Sequence, residues 1–210
     1  MVDILLLGIL YAFLGGAIKY VDEAYDERAF PIFTANGIAV IAGIVMGVLM
    51  AIDSPFSTAF FAAMLISLFI AKKIDNLAFV AGAVFATLTV ALLSQYYPVT
   101  WLVIPISLFL LAGFIDEIGD NFAHDHNLPD WLNNILHYRP FSDIALLGVI
   151  VVSGFPILYL IPYFAFTFSY IAVKRYAVED SKLHAGVVAG MSYSREKVNR
   201  IVDLLRGMRH

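Results

Sequence analysis

The sequence predicts an all-α integral membrane protein: a bundle of seven transmembrane helices, N-terminus outside, C-terminus cytoplasmic, with a cytoplasmic amphipathic helix near the C-terminus. Three observations carry that expectation. The 210 residues are 61% hydrophobic and 14% charged, and the mean hydropathy is +0.84, far from the composition of a water-soluble domain. Apolar runs of spanning length recur along the chain. The basic residues fall between those runs in a pattern that sets a sidedness.

The first run, Ile4 to Lys19, lacks a basic leader and is followed by acidic residues rather than a small-residue cleavage site, so it is expected to stay as a helix. Further spans are expected at Ile32 to Ile52, Phe56 to Ala71, Leu77 to Gln95 and Val99 to Ile115. The stretch from Phe141 to Val173 would be about 50 Å long as one helix at 1.5 Å per residue, too long for one crossing. Ser153-Gly154-Phe155-Pro156 divides it, because Pro cannot continue a helix from the preceding turn.

Charge decides how that last stretch crosses. If it is a hairpin, all 13 Lys and Arg residues lie on one side of the membrane; if it is a single span they split five and eight. Cytoplasmic loops collect Lys and Arg, so the hairpin and seven spans follow. Only Asp3 and Asp53 of the 17 acidic residues then lie outside, and all five His residues lie inside. The chemistry is therefore expected at the cytoplasmic face of a multi-pass protein of the cell membrane. The net charge of -4 says less than this sidedness.

Residues 1–175 form the expected transmembrane domain and 176–210 the tail. Ser194 is a candidate N-cap for a tail helix, with Val198, Ile201, Val202, Leu205 and Met208 at helical spacing. Leu128 to Leu136 is expected as a short interfacial helix anchored by Trp131. Gly43 and Gly47 form a Gly-x-x-x-Gly pattern, read as close packing within the chain rather than as a dimer seam.

Two acidic octets organise the functional reading. Tyr20-Val21-Asp22-Glu23-Ala24-Tyr25-Asp26-Glu27 and Phe114-Ile115-Asp116-Glu117-Ile118-Gly119-Asp120-Asn121 share one order of residue types, each at the end of an apolar run. On a helix Asp22 and Asp26, like Asp116 and Asp120, stand one turn apart on one face. Two carboxylates ~5 Å apart repel by about 3 kcal/mol at an effective dielectric of 20. Helix C-termini already carry partial negative charge, which adds to the cost. Raised pKa values or bound cations would relieve it, and clustered Asp favours Mg²⁺. The four Asp residues are thus the candidate metal ligands and catalytic centre, and Lys19, Lys73 and Arg139 the candidate binders of a phosphate or diphosphate. The plainer alternative is a set of solvated acidic helix ends that only orient the protein.

Other chemistries find no support. Cys is absent, which excludes disulfides, thiolate zinc sites and cysteine nucleophiles. His124-Asp125-His126 does not share a helical face, and no zinc-hydrolase, Gly-x-Ser-x-Gly, Walker or dinucleotide motif occurs. The paired Asp-rich helix ends resemble, in their logic, UbiA-type membrane prenyltransferases, which implies Mg²⁺ and a prenyl diphosphate. Tyr20-Val21 precede Asp22 where those enzymes carry an Asn-Asp-x-x-x-Asp motif, and seven spans are fewer than usual for them. Tyr25-Asp26 and Gly119-Asp120 resemble the Tyr-Asp and Gly-x-Gly-Asp pair of intramembrane aspartyl proteases, with Glu117 at a Gly position and no Pro-Ala-Leu sequence following. No family is assigned. The expected function is a Mg²⁺-dependent, transferase-type enzyme acting on a lipid phosphate or diphosphate, isoprenoid among the candidates, at the cytoplasmic leaflet. Its expected partners are the bilayer and that lipid, with no nucleic acid. The competing readings are a divalent-cation transporter or channel with an acidic inner vestibule, and a non-catalytic scaffold that recruits a partner through its tail.

Overall fold

Asp3 starts the first helix, α1 (Ile4–Asp26), by accepting hydrogen bonds from the backbone N–H groups of Leu5 (2.8 Å) and Leu6 (3.4 Å). Pro31 precedes α2 (Ile32–Ile52), and a tight Asp53-Ser54 turn leads into α3 (Pro55–Ile70). Asn76 caps α4 (Leu77–Leu93) through a 3.0 Å bond from Phe79 N–H. Then come α5 (Val103–Asp125), α6 (Pro140–Ser153) and α7 (Ile157–Val178), the last opening with a 3-10 turn over Ile157–Tyr159. These elements come from a computed structural model that describes residues 3–70, 74, 76–125, 129, 131–132, 135–136 and 140–178, with only the backbone described at 117, 120, 121 and 123–125. Among the described residues there is no strand.

The predicted apolar runs match these helices closely, with one difference. The first octet ends α1 at Asp26, as expected, whereas α5 runs on through the second octet to Asp125, so that octet lies within the helix instead of ending it. The break at Ser153-Gly154-Phe155-Pro156 is present: Gly154 adopts φ +66°, a left-handed conformation that glycine reaches without steric cost, and Pro156 precedes α7. Of the expected interfacial helix, Trp131, Leu132, Ile135 and Leu136 are helical, Pro129 is not, and positions 128, 130, 133 and 134 lie outside the described residues. The tail helix from Ser194 lies outside them entirely.

Three helices, α1, α2 and α7, are long and apolar enough to cross a membrane; α3, α4, α6 and the Val103–Asp116 part of α5 are shorter apolar helices. All seven contribute to one core, through residues such as Tyr11, Met46, Phe56, Ala86, Phe109, Leu146 and Tyr163. The exterior is apolar as well. Phe69, Leu92, Val151 and Phe168 are each well over half exposed, a surface suited to lipid contact rather than to water.

Small residues set the closest approaches. A Cβ on Gly43 would strike the Gly82 carbonyl, and one on Gly47 would lie 2.6 Å from the Ala86 carbonyl oxygen, so the Gly-x-x-x-Gly face of α2 packs on α4 within the chain. Gly15 likewise meets the backbone of Phe166, bringing α1 against α7. These contacts advance together along both partners, Gly43 with Gly82 and Gly47 with Ala86, then Gly8 with Ile161 and Gly16 with Val173. Hence α2 runs parallel to α4, and α1 parallel to α7. Rings of Phe56 and Phe60 meet Tyr159 and Tyr163 in the same sense, which aligns α3 with α7. The Tyr163–Asp143 hydrogen bond spans the Gly154 turn and makes α6 and α7 an antiparallel hairpin.

Candidate functional site

Lys19 lies at the charged end of α1, buried to 8% exposure, and its ammonium contacts Asp22 Oδ2 at 2.5 Å and Glu23 Oε1 at 2.9 Å. Residues three and four positions on along a helix lie over the same face, so one cation reaches both acids. The Tyr170 ring of α7 sits 5.5 Å from the same nitrogen. Glu23, only 6% exposed, is thereby charge-compensated. Beyond it Arg28 takes a left-handed conformation (φ 54°) that turns the chain and lets the Ala29 N–H return to the Glu23 carbonyl at 3.1 Å.

Between the C-terminal parts of α1 and α7 lies a cleft of about 400 Å³. Asp22, Glu23, Asp26 and Glu27 line one wall with Lys19, and Lys174 lines the other beside Ala177. Four carboxylates against two ammonium groups leave the cleft negative. Asp22 and Asp26 open into it from successive turns of α1, as their spacing predicts.

Asp116 has a different environment. It is 2% exposed, and its two oxygens accept from the Phe141 N–H (3.0 Å), the Ser142 N–H (2.8 Å) and the Ser142 hydroxyl (2.5 Å). These donors form the first turn of α6, so a carboxylate from α5 caps the positive end of the next helix. An acid that is unfavourable toward the end of its own helix is favourable at the start of its neighbour. Asp143, in that same first turn, accepts from the Tyr163 hydroxyl at 2.9 Å.

The structure thus brings Asp22, Asp26 and Lys19 together, while Asp116 is not among the residues lining their cleft. Asp120 lies one turn beyond Asp116 on α5, and its side chain is outside the described set. Lys73 and Arg139 lie outside the described residues. Among the described residues, no group of three or more His, Cys, Asp or Glu side chains converges to hold a metal ion. Sequence reasoning missed Lys174 as a cleft residue, having used it only in the charge count. The signal was present: Lys174 follows Tyr170 by one turn, and both face the octet end of α1. Comparison with protein-family models, curated proteins and solved structures finds no match to this chain.

Proposed function

We propose that the chain is a seven-span membrane protein, N-terminus outside and C-terminus cytoplasmic, and that the α1–α7 cleft handles the head group of a lipid phosphate or diphosphate together with Mg²⁺. The observation that carries this reading is the cleft itself: a negative, lysine-containing opening at the end of helices whose outer surfaces are apolar. A lipid head could enter there while its tail stays against the helices. The parallel pairing of α1, α3 and α7, and of α2 with α4, supports alternating spans. The Lys and Arg distribution supports a cytoplasmic placement of the cleft.

The roles follow from the contacts. Asp22 and Asp26 present carboxylate oxygens from successive turns. Mg²⁺ typically takes one or two carboxylates and completes its octahedron with water and phosphate oxygens, so a pair is a sufficient protein contribution. Lys19 is held by Asp22 and Glu23 and fixes their orientation, which makes Lys174 the ammonium that faces the phosphate. The bound metal would neutralise phosphate charge and stabilise the leaving oxygen of a transfer reaction. Asp116 drops from the ligand set because its oxygens hold the start of α6.

The test is turnover of a lipid diphosphate by the full chain in vesicles, followed as released phosphate or pyrophosphate. Mg²⁺-dependent turnover is expected, falling at least about a hundredfold in Asp26→Asn, a loss of about 2.7 kcal/mol of transition-state stabilisation. Turnover that survives chelation, or is unchanged in Asp26→Asn, would exclude the proposed centre.

A further inference from the structure

At the end of the helices opposite the cleft, the turn between α2 and α3 holds a second polar group, part-buried. Asp53 Oδ2 accepts from the hydroxyls of Ser57 (2.6 Å), Ser54 (2.9 Å) and Tyr159 (3.3 Å). The Tyr11 hydroxyl, fully buried on α1, lies 2.6 Å from the Ser57 hydroxyl and extends the chain of donors. The other carboxylate oxygen, Oδ1, is buried and has no hydrogen-bond partner among the described residues. Among the described residues no Lys, Arg or His pairs with Asp53. A part-buried carboxylate with one sealed oxygen and no described basic partner is costly in an apolar protein of this kind and marks a functional position.

Tyr159 also begins a polar line along α7. Tyr159, Tyr163, Thr167, Tyr170 and Lys174 follow one another at spacings of four, four, three and four, which places them on one face of the helix. The rings of Tyr159 and Tyr163 pack against Phe56, Phe60 and Phe155, while the polar groups of this face make a series of polar or charged contacts. Tyr159 reaches Asp53, Tyr163 reaches Asp143, Tyr170 faces Lys19, and Lys174 lines the cleft. Tyr159 and Tyr163 are 5% and 3% exposed, so the line runs through the interior while the rest of α7 contacts apolar side chains.

We propose that this face of α7 is a proton path joining the Asp53 hydroxyl cluster at one end of the helices to the charged cleft at the other. The open oxygen of Asp53 takes a proton from the nearby surface. Asp53 then passes a proton to the Tyr159 oxygen as Tyr159 releases its own hydroxyl proton toward Tyr163. Successive turns are about 6 Å apart, a separation that one bridging water can span. Tyr163 in turn gives its hydroxyl proton to the Asp143 carboxylate and receives the one arriving from Tyr159. One proton has then moved from Asp53 to Asp143, both hydroxyls are restored, and Asp53 is again a carboxylate. Asp143 is restored as a carboxylate when its proton passes on by the hydroxyls of Thr167 and Tyr170, each taking one proton as it releases its own, to a carboxylate of the cleft.

The experiment uses the full chain in vesicles loaded with a pH-sensitive dye, with an imposed pH gradient and the membrane potential clamped by valinomycin and potassium. Wild-type vesicles should equilibrate protons faster than protein-free vesicles. Tyr163→Phe, which removes one hydroxyl and keeps the ring, should slow that protein-dependent rate at least about tenfold, an added barrier of about 1.4 kcal/mol. Asp53→Asn should do the same; if it does not yield a monodisperse protein, Tyr163→Phe decides alone. Equal rates in wild-type and protein-free vesicles, or a wild-type rate in a folded Tyr163→Phe protein, would overturn the proposal.

Discussion

Asp22 and Asp116 occupy the same place in two matching octets, and their neighbours give them different work. Asp22 lies under the Lys19 ammonium at a cleft, whereas Asp116 is sealed against the first turn of α6. The repetition was legible in the sequence; the difference was not, because the donors to Asp116 come from Phe141 and Ser142, far along the chain. The dipole argument identified a cost that needed relief and named raised pKa values or bound cations. The protein supplies two other remedies, a lysine one turn earlier and the positive end of an adjacent helix. Asp116→Ala leaves the α6 N–H groups without their acceptor and should lower stability by about 1 to 3 kcal/mol, read as a lower thermal midpoint in detergent. The Lys19–Glu23 pair makes a second prediction. Lys19→Met strands a buried carboxylate and should cost about 3 to 5 kcal/mol, while the double change Lys19→Met, Glu23→Leu should recover most of that loss.

At the scale of elements, the helices were legible because apolar runs and punctuation are local properties. The start of α2 and the division of the last apolar stretch at Gly154 both follow from residues within a turn of the boundary. The C-terminal limit of α5 was not legible, since an acid that would fray an isolated helix end is held by α6, whereas α1 ends within its octet, where Lys19 holds the acids. Partner choice between helices shows in the glycines. Nothing lies within 4 Å of a Cβ placed on Gly37, whereas one on Gly43 meets the Gly82 backbone. Gly37→Ala should therefore be neutral or stabilising by up to about 1 kcal/mol, the helix preference for Ala over Gly. Gly43→Ala should force α2 from α4 and lower the thermal midpoint. Equal effects at the two positions would contradict the close α2–α4 crossing.

At the scale of the whole molecule, the described elements are all helices with an apolar exterior, and composition together with the length of the apolar runs made that legible. The proposed sidedness rests on the Lys and Arg distribution and has a direct test. The chain has no Cys, so single introduced cysteines are unambiguous reporters. In intact cells Ser94→Cys should react with a membrane-impermeant maleimide, and Glu27→Cys should react only after permeabilisation. The reverse pattern would invert the proposed topology and move the cleft outside.

The central claim is that the α1–α7 cleft binds a divalent cation through Asp22 and Asp26, and calorimetric titration of the purified full chain with Mg²⁺ tests it most directly. Saturable binding in wild type and in Asp116→Asn, lost in Asp26→Asn, is the predicted result. No saturable binding, or equal binding in wild type and Asp26→Asn, would contradict it.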